Sequence, residues 1–197
     1  WQRHFWQIVV QIESDSGVIG VGMGGGGLPA VEIVNRHFRD LLVGREVTSI
    51  PDIEDIWEDL YLASIPYGRK GMAVMALSGV DLALWDLLSK AQDVPVYELI
   101  GKKTKNKVRV YASGSDIYWY KDLGITANKL SSFNIVRRDS MHDGKMSGYE
   151  HMYEAVSRSR QILGDNALIM IDCYMTWDTL TAIDMAHKLA DLNIYWF

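Results

Sequence analysis

Asp172 closes the apolar run Ala167-Leu-Ile-Met-Ile171, so a strand there would present a carboxylate at its C-terminal end. In parallel β/α architectures that end is the catalytic rim. A hard divalent cation such as Mg2+ takes oxygen ligands, usually one or two carboxylates completed by water and substrate. Asp172 is therefore read as a metal ligand, against the alternative of an acid that caps the next helix. Lys129 occupies a similar place near the end of Ile125-Thr-Ala-Asn-Lys-Leu130. Facing inward, it could steady a substrate carboxylate or move a proton, its pKa lowered by a nearby cation. Facing outward, it would be a lysine snorkelling at the rim, and strand parity is not fixed by the sequence.

Arg69 and Lys70 stand beside Tyr67 in Tyr67-Gly-Arg-Lys-Gly71, part of an expected loop over residues 64–71. Two cations on such a loop suit an anionic substrate, because Arg can hold a carboxylate bidentately; the plainer reading is an ordinary exposed loop. The histidines His4, His37, His142, His151 and His187 show no metal spacing, and His142 is kept as a site residue because it falls in the long polar stretch 131–148. Cys173 follows Asp172, so alternation turns it the other way, into packing. Asp81 and Asp86 do not share a helical face and make a poor acid/base pair.

The elements that must position these groups follow from periodicity. Residues 5–13 and 18–23 read as two strands joined by Ser14-Asp-Ser-Gly17, a hairpin. The glycine run Gly24 to Gly27 leads through Pro29 into an amphipathic helix with Val31, Val34, Phe38, Leu41 and Leu42. A second helix starts near Asp52 with Ile53, Ile56, Trp57 and Leu60 on one face, and its acids suit the positive end of the helix dipole. Residues 72–91 form the most apolar helix, which must be buried on most sides. After the basic connector 102–109, short strands (107–112, 125–130, 167–171, 193–197) alternate with helices (118–123, 149–163, 179–192), the signature of parallel β/α units. The stretch 131–148 suits an active-site loop on a catalytic rim.

Composition excludes several classes. Apolar residues make up 48% and charged residues 23%, as in folded globular proteins. No membrane span is expected, since residues 72–88 are interrupted by Ser78, Gly79, Asp81 and Asp86. One cysteine allows no internal disulfide and fits a cytoplasmic setting. A formal charge of −5 argues against nucleic acid as partner.

Three segments carry a resemblance. Ala76-Leu-Ser-Gly-Val-Asp-Leu-Ala-Leu-Trp-Asp86, Pro95-Val-Tyr-Glu-Leu-Ile-Gly101 and Val108-Arg-Val-Tyr-Ala-Ser-Gly114 resemble, in order and spacing, the cap-to-barrel passage of the mandelate racemase subgroup of the enolase superfamily. Tyr67-Gly-Arg-Lys-Gly71 and Ile171-Asp-Cys-Tyr-Met-Thr-Trp177 resemble its rhamnonate-dehydratase-like branch. The resemblance implies an α+β capping domain over residues 1–104, then an α/β (TIM-type) barrel from 105 to 197, incomplete in this chain. It implies that Asp172 is the first of three acidic Mg2+ ligands, with the next expected just beyond Phe197. Lys129 matches the first lysine of a Lys-x-Lys motif, while Ser131 stands where the second would be, favouring a His/Asp dyad from later strands. Gly24 to Gly27 and Tyr67 to Gly71 resemble loops that close over the substrate. The implied activity is Mg2+-dependent dehydration of a small-molecule sugar acid to a 2-keto-3-deoxy acid, by a cytoplasmic homo-oligomer.

Two rivals stand beside this reading. Gly22-Met-Gly-Gly-Gly-Gly27 fits the G-x-G-x-x-G pattern of a dinucleotide-binding oxidoreductase, although a hairpin precedes it where a β-α-β unit should open. The other is a catalytically inactive relative acting as a binding module.

Overall fold

Ile8–Glu13 (β1) and Ile19–Gly24 (β2) alternate buried and exposed positions, as strands covered on one face must. They pair antiparallel, Ile8 opposite Gly24 and Val10 opposite Gly22, around a turn in which Gly17 takes φ 81°. The structure, a computed structural model, describes residues 6–131 and 148–197. The chain divides into two units, residues 1–106 and 107–197.

The covered face of β2 is glycine throughout, because Met72–Ala91 (α4) crosses it at backbone distance. A Cβ on Gly22 would collide with the Gly79 carbonyl, and one on Gly20 with that of Ala83. α4 also satisfies main-chain groups that a two-stranded sheet leaves over. Asp86 accepts the Val21 N–H at 2.7 Å and Lys90 donates to the Ile19 carbonyl at 2.9 Å, which closes an otherwise open edge. α4 is long and apolar enough to cross a membrane by length and composition, yet here it is the core helix of its unit.

The helix expected from Pro29 is Gly27–Ile33 (α1), a π-helical segment Val34–Phe38 and Arg39–Leu42 (α2), which together bury Ala30 and Phe38. Ile50–Gly68 (α3) starts with a capping box between Ser49 and Asp52 and buries Ile53, Ile56 and Leu60. Here the expected loop 64–71 is corrected: α3 continues through Pro66 to Gly68. A proline forfeits one helical hydrogen bond and crowds the carbonyl four residues back. In the last turn little helix remains to be lost, and the chain leaves two residues later. A short helix, Val96–Ile100 (α5), completes the unit.

The second unit is built on Ala112–Ser113 (β3), Ala127–Ser131 (β4) and Leu168–Asp172 (β5), a parallel sheet in that order. Ile117–Asp122 (α6), Gly148–Leu163 (α7) and Thr179–Lys188 (α8) alternate with them. Leu130, Ile169 and Ile171 pack with Met152 and Val156 of α7 and Met185 of α8. Several expectations are corrected. The strand 107–112 reduces to β3, since residues 107–110 are exposed and, among the described residues, no strand pairs with them. The strand 193–197 reduces to one bridge, Trp196 beside Met170. The helix 179–192 ends at Lys188 and passes into a 3-10 turn, Ala190–Leu192. The described residues form a three-stranded parallel sheet, with no closed barrel.

Arg160 of α7 ties this unit together. Its guanidinium donates to the carbonyls of Gly164, Asp165, Ala167, Leu192 and Asn193 at 2.7–3.2 Å, spanning both the entry to β5 and the chain beyond α8.

Candidate functional site

β5 is apolar because α7 and α8 cover one of its faces, and alternation sends Asp172 to the other. In register, Ser131 lies opposite Asp172 and Lys129 opposite Met170, so Lys129, Ser131 and Asp172 share the face turned away from the helices. This resolves the parity of Lys129. Its Nζ donates to Asp172 Oδ2 at 2.9 Å, with side chains 21% and 32% exposed. Asp172 Oδ1 accepts the Tyr174 N–H at 3.1 Å. The helix-cap role belongs to another residue: Asp178 Oδ1 accepts from Thr181 at the start of α8. Cys173 packs toward the helices, against the buried cluster beneath the sheet.

The electrostatics follow from the pair. The hydrogen bond from Lys129, reinforced by the Tyr174 N–H, holds the Asp172 carboxyl below its ordinary value. The same hydrogen bond raises the Lys129 ammonium. A partly exposed carboxylate at the end of a parallel strand is the hard oxygen donor that Mg2+ prefers, so Asp172 fits as one ligand. Among the described residues no three His, Cys, Asp or Glu side chains gather around a common point.

The first unit holds the remaining expected residues. Tyr67 lies in the last turn of α3, and Arg69 and Lys70 are exposed between α3 and α4. The two glycine segments do meet: Gly24, Gly25 and Gly71 line one groove with Gln7, Met23 and Met75. Tyr67 OH lies 2.6 Å from His37 Nδ1, and partial burial raises its phenol. Sequence reasoning passed over His37, which sits in the π-helical segment; neither residue signals the other in linear spacing. His142, and the polar stretch around it, falls outside the described residues.

Residues 4–101 match the family described as mandelate racemase / muconate lactonizing enzyme, N-terminal domain. An L-rhamnonate dehydratase of Saccharopolyspora erythraea is 33% identical over 192 residues, covering 96% of this chain and 46% of that protein. The structure of rhamnonate dehydratase from Gibberella zeae complexed with Mg superposes with a TM-score of 0.78 at 33% identity, over 96% of this chain and 45% of that one. A racemase from Streptomyces coelicolor with bound magnesium gives 0.77 at 30% identity, over 96% and 53%. The chain spans about half the length of the curated relatives it matches.

Proposed function

Because the chain belongs to the mandelate racemase / muconate lactonizing enzyme family, whose N-terminal domain it carries at residues 4–101, we propose that it forms part of an acid-sugar dehydratase acting on an L-rhamnonate-like aldonate. The reaction removes the proton α to the carboxylate and expels the β-hydroxyl as water, leaving a 2-keto-3-deoxy acid. That proton is very weakly acidic, so the charge that develops on the carboxylate needs fixed positive groups beside it. Mg2+, when bound, supplies a Lewis acid for that charge, and Asp172 would be one of its ligands.

Lys129 adds a second positive charge on the same face. Hydrogen-bonded to Asp172 at the rim, it is assigned to the substrate carboxylate by its charge. Tyr67, Arg69 and Lys70 are assigned as further anion- and hydroxyl-binding residues.

The observation that carries the reading is the Lys129–Asp172 pair at the ends of adjacent parallel strands. Relatives named for L-rhamnonate, one of them complexed with Mg, support it. The test incubates the whole protein and Mg2+ with a panel of aldonates and detects a 2-keto-3-deoxy acid. Asp172→Asn should lower kcat/KM by more than about a hundredfold, because a bound cation is worth several kcal/mol of charge stabilisation. A blank panel would overturn the assignment. The dinucleotide rival loses its footing in the fold: the glycines of β2 are filled by α4, and the strand before them is antiparallel.

A further inference from the structure

Two tyrosines from different segments flank the Lys129–Asp172 pair. Tyr111 immediately precedes β3, and Lys129 Nζ stands 5.8 Å from its ring centroid, within cation–π range. Tyr174 follows β5 by two residues and is tied to Asp172 through its own N–H. Both residues remain about half exposed, 50% and 55%. Tyr174 and Met175 take φ 49° and 54° in succession, a left-handed turn that side chains adopt at a cost. That turn is held by the Asp172 side chain, so the carboxylate that defines the site also fixes where the tyrosine begins.

We propose that Tyr111 and Tyr174 form an aromatic clamp at the Lys129–Asp172 pair, which grips the hydroxylated chain of the substrate and selects polyhydroxylated acids over simple 2-hydroxy acids. This deepens the dehydratase reading and rests on it for the substrate class. The chemistry suits a sugar acid: a tyrosine offers an apolar ring to the C–H face and a phenol to a hydroxyl. Selectivity follows because a site built to hydrogen-bond hydroxyls is left unpaired by an analogue that lacks them.

The test measures binding by calorimetry on the whole protein with Mg2+, using L-rhamnonate and other six-carbon aldonates against lactate, which shares the carboxylate and α-hydroxyl but has no polyol tail. Tyr111→Leu and Tyr174→Leu should each weaken aldonate binding at least about tenfold while lactate binding changes less than about twofold, and Tyr→Phe should retain part of the preference. Circular dichroism and the melting temperature monitor folding. Equal losses for both ligands, or wild-type selectivity in both Leu variants, overturn the clamp. Clamp-dependent binding without turnover keeps the clamp and removes the dehydratase assignment. Turnover with unchanged selectivity does the reverse, and a wild-type protein that binds no aldonate removes both.

Discussion

Asp172 and Lys129 hold each other's charge, and their pH behaviour is fixed by the direction of the two shifts. Asp172 sits below its ordinary 3.8, so its share of stability is present above that value and lost as pH falls through the lower folded pKa. Lys129 sits above its ordinary 10.5, so its share is present below that value and lost as pH rises through the higher folded pKa. Between about pH 5 and 9 the pair contributes no pH dependence. Lys129→Met should therefore cost a constant amount across that window, about 1 kcal/mol or less because both side chains are partly exposed, with the difference from wild type shrinking in acid. Denaturant midpoints from pH 3 to 9 check this. A cost that varied between pH 5 and 9 would show that another group titrates against the pair. The same variant should lose about a hundredfold in kcat/KM, far more than its stability loss explains, since a fixed charge beside a developing anion is worth most during reaction.

At the scale of elements, the glycine face of β2 and the Arg160 clamp make different demands on the same fold. Gly22→Ala forces a Cβ into the backbone carbonyl of Gly79, so neither strand nor helix can yield cheaply; the cost should be about 3 kcal/mol or outright misfolding. Gly17→Ala meets nothing within 4 Å and suffers only from φ 81°, so about 1 kcal/mol is expected. Thermal melts of the two variants rank these costs, and parity would refute the close-packing account. Arg160→Met keeps the aliphatic stem but leaves carbonyls from two segments without their donor. It should destabilise by about 2–4 kcal/mol, read as a lower denaturant midpoint. Much of this was legible in the residues: the hairpin, α4 and α7 announce themselves through alternation or helical periodicity. The alternation around Asp172 even turned Cys173 correctly into the core. What local pattern could not supply was anything set by a distant partner. The shrinkage of strand 107–112, the His37–Tyr67 contact and the facing of Lys129 all depend on neighbours far along the chain.

On the scale of the whole molecule, each unit has a core drawn from its own residues. The first is closed: its buried cluster, from Ile8 to Leu88, includes Phe38, Ile53, Ile56, Leu60, Leu77 and Leu84, and α4 touches β1, β2 and α3 alike. Among the described residues of the second, helices cover one face of its sheet, and Tyr195, Trp196 and Phe197 stay 62%, 41% and 46% exposed. A segment of about a hundred residues with its own core can fold alone, whereas an open parallel sheet bearing exposed aromatics invites association. Residues 1–106 expressed alone should therefore give a monomer with helical circular dichroism and one cooperative melt. Residues 107–197 alone should elute as aggregate or melt without cooperativity. The prediction fails if the first fragment lacks cooperative unfolding, because its stability would then come from contacts outside the cluster that α4 organises.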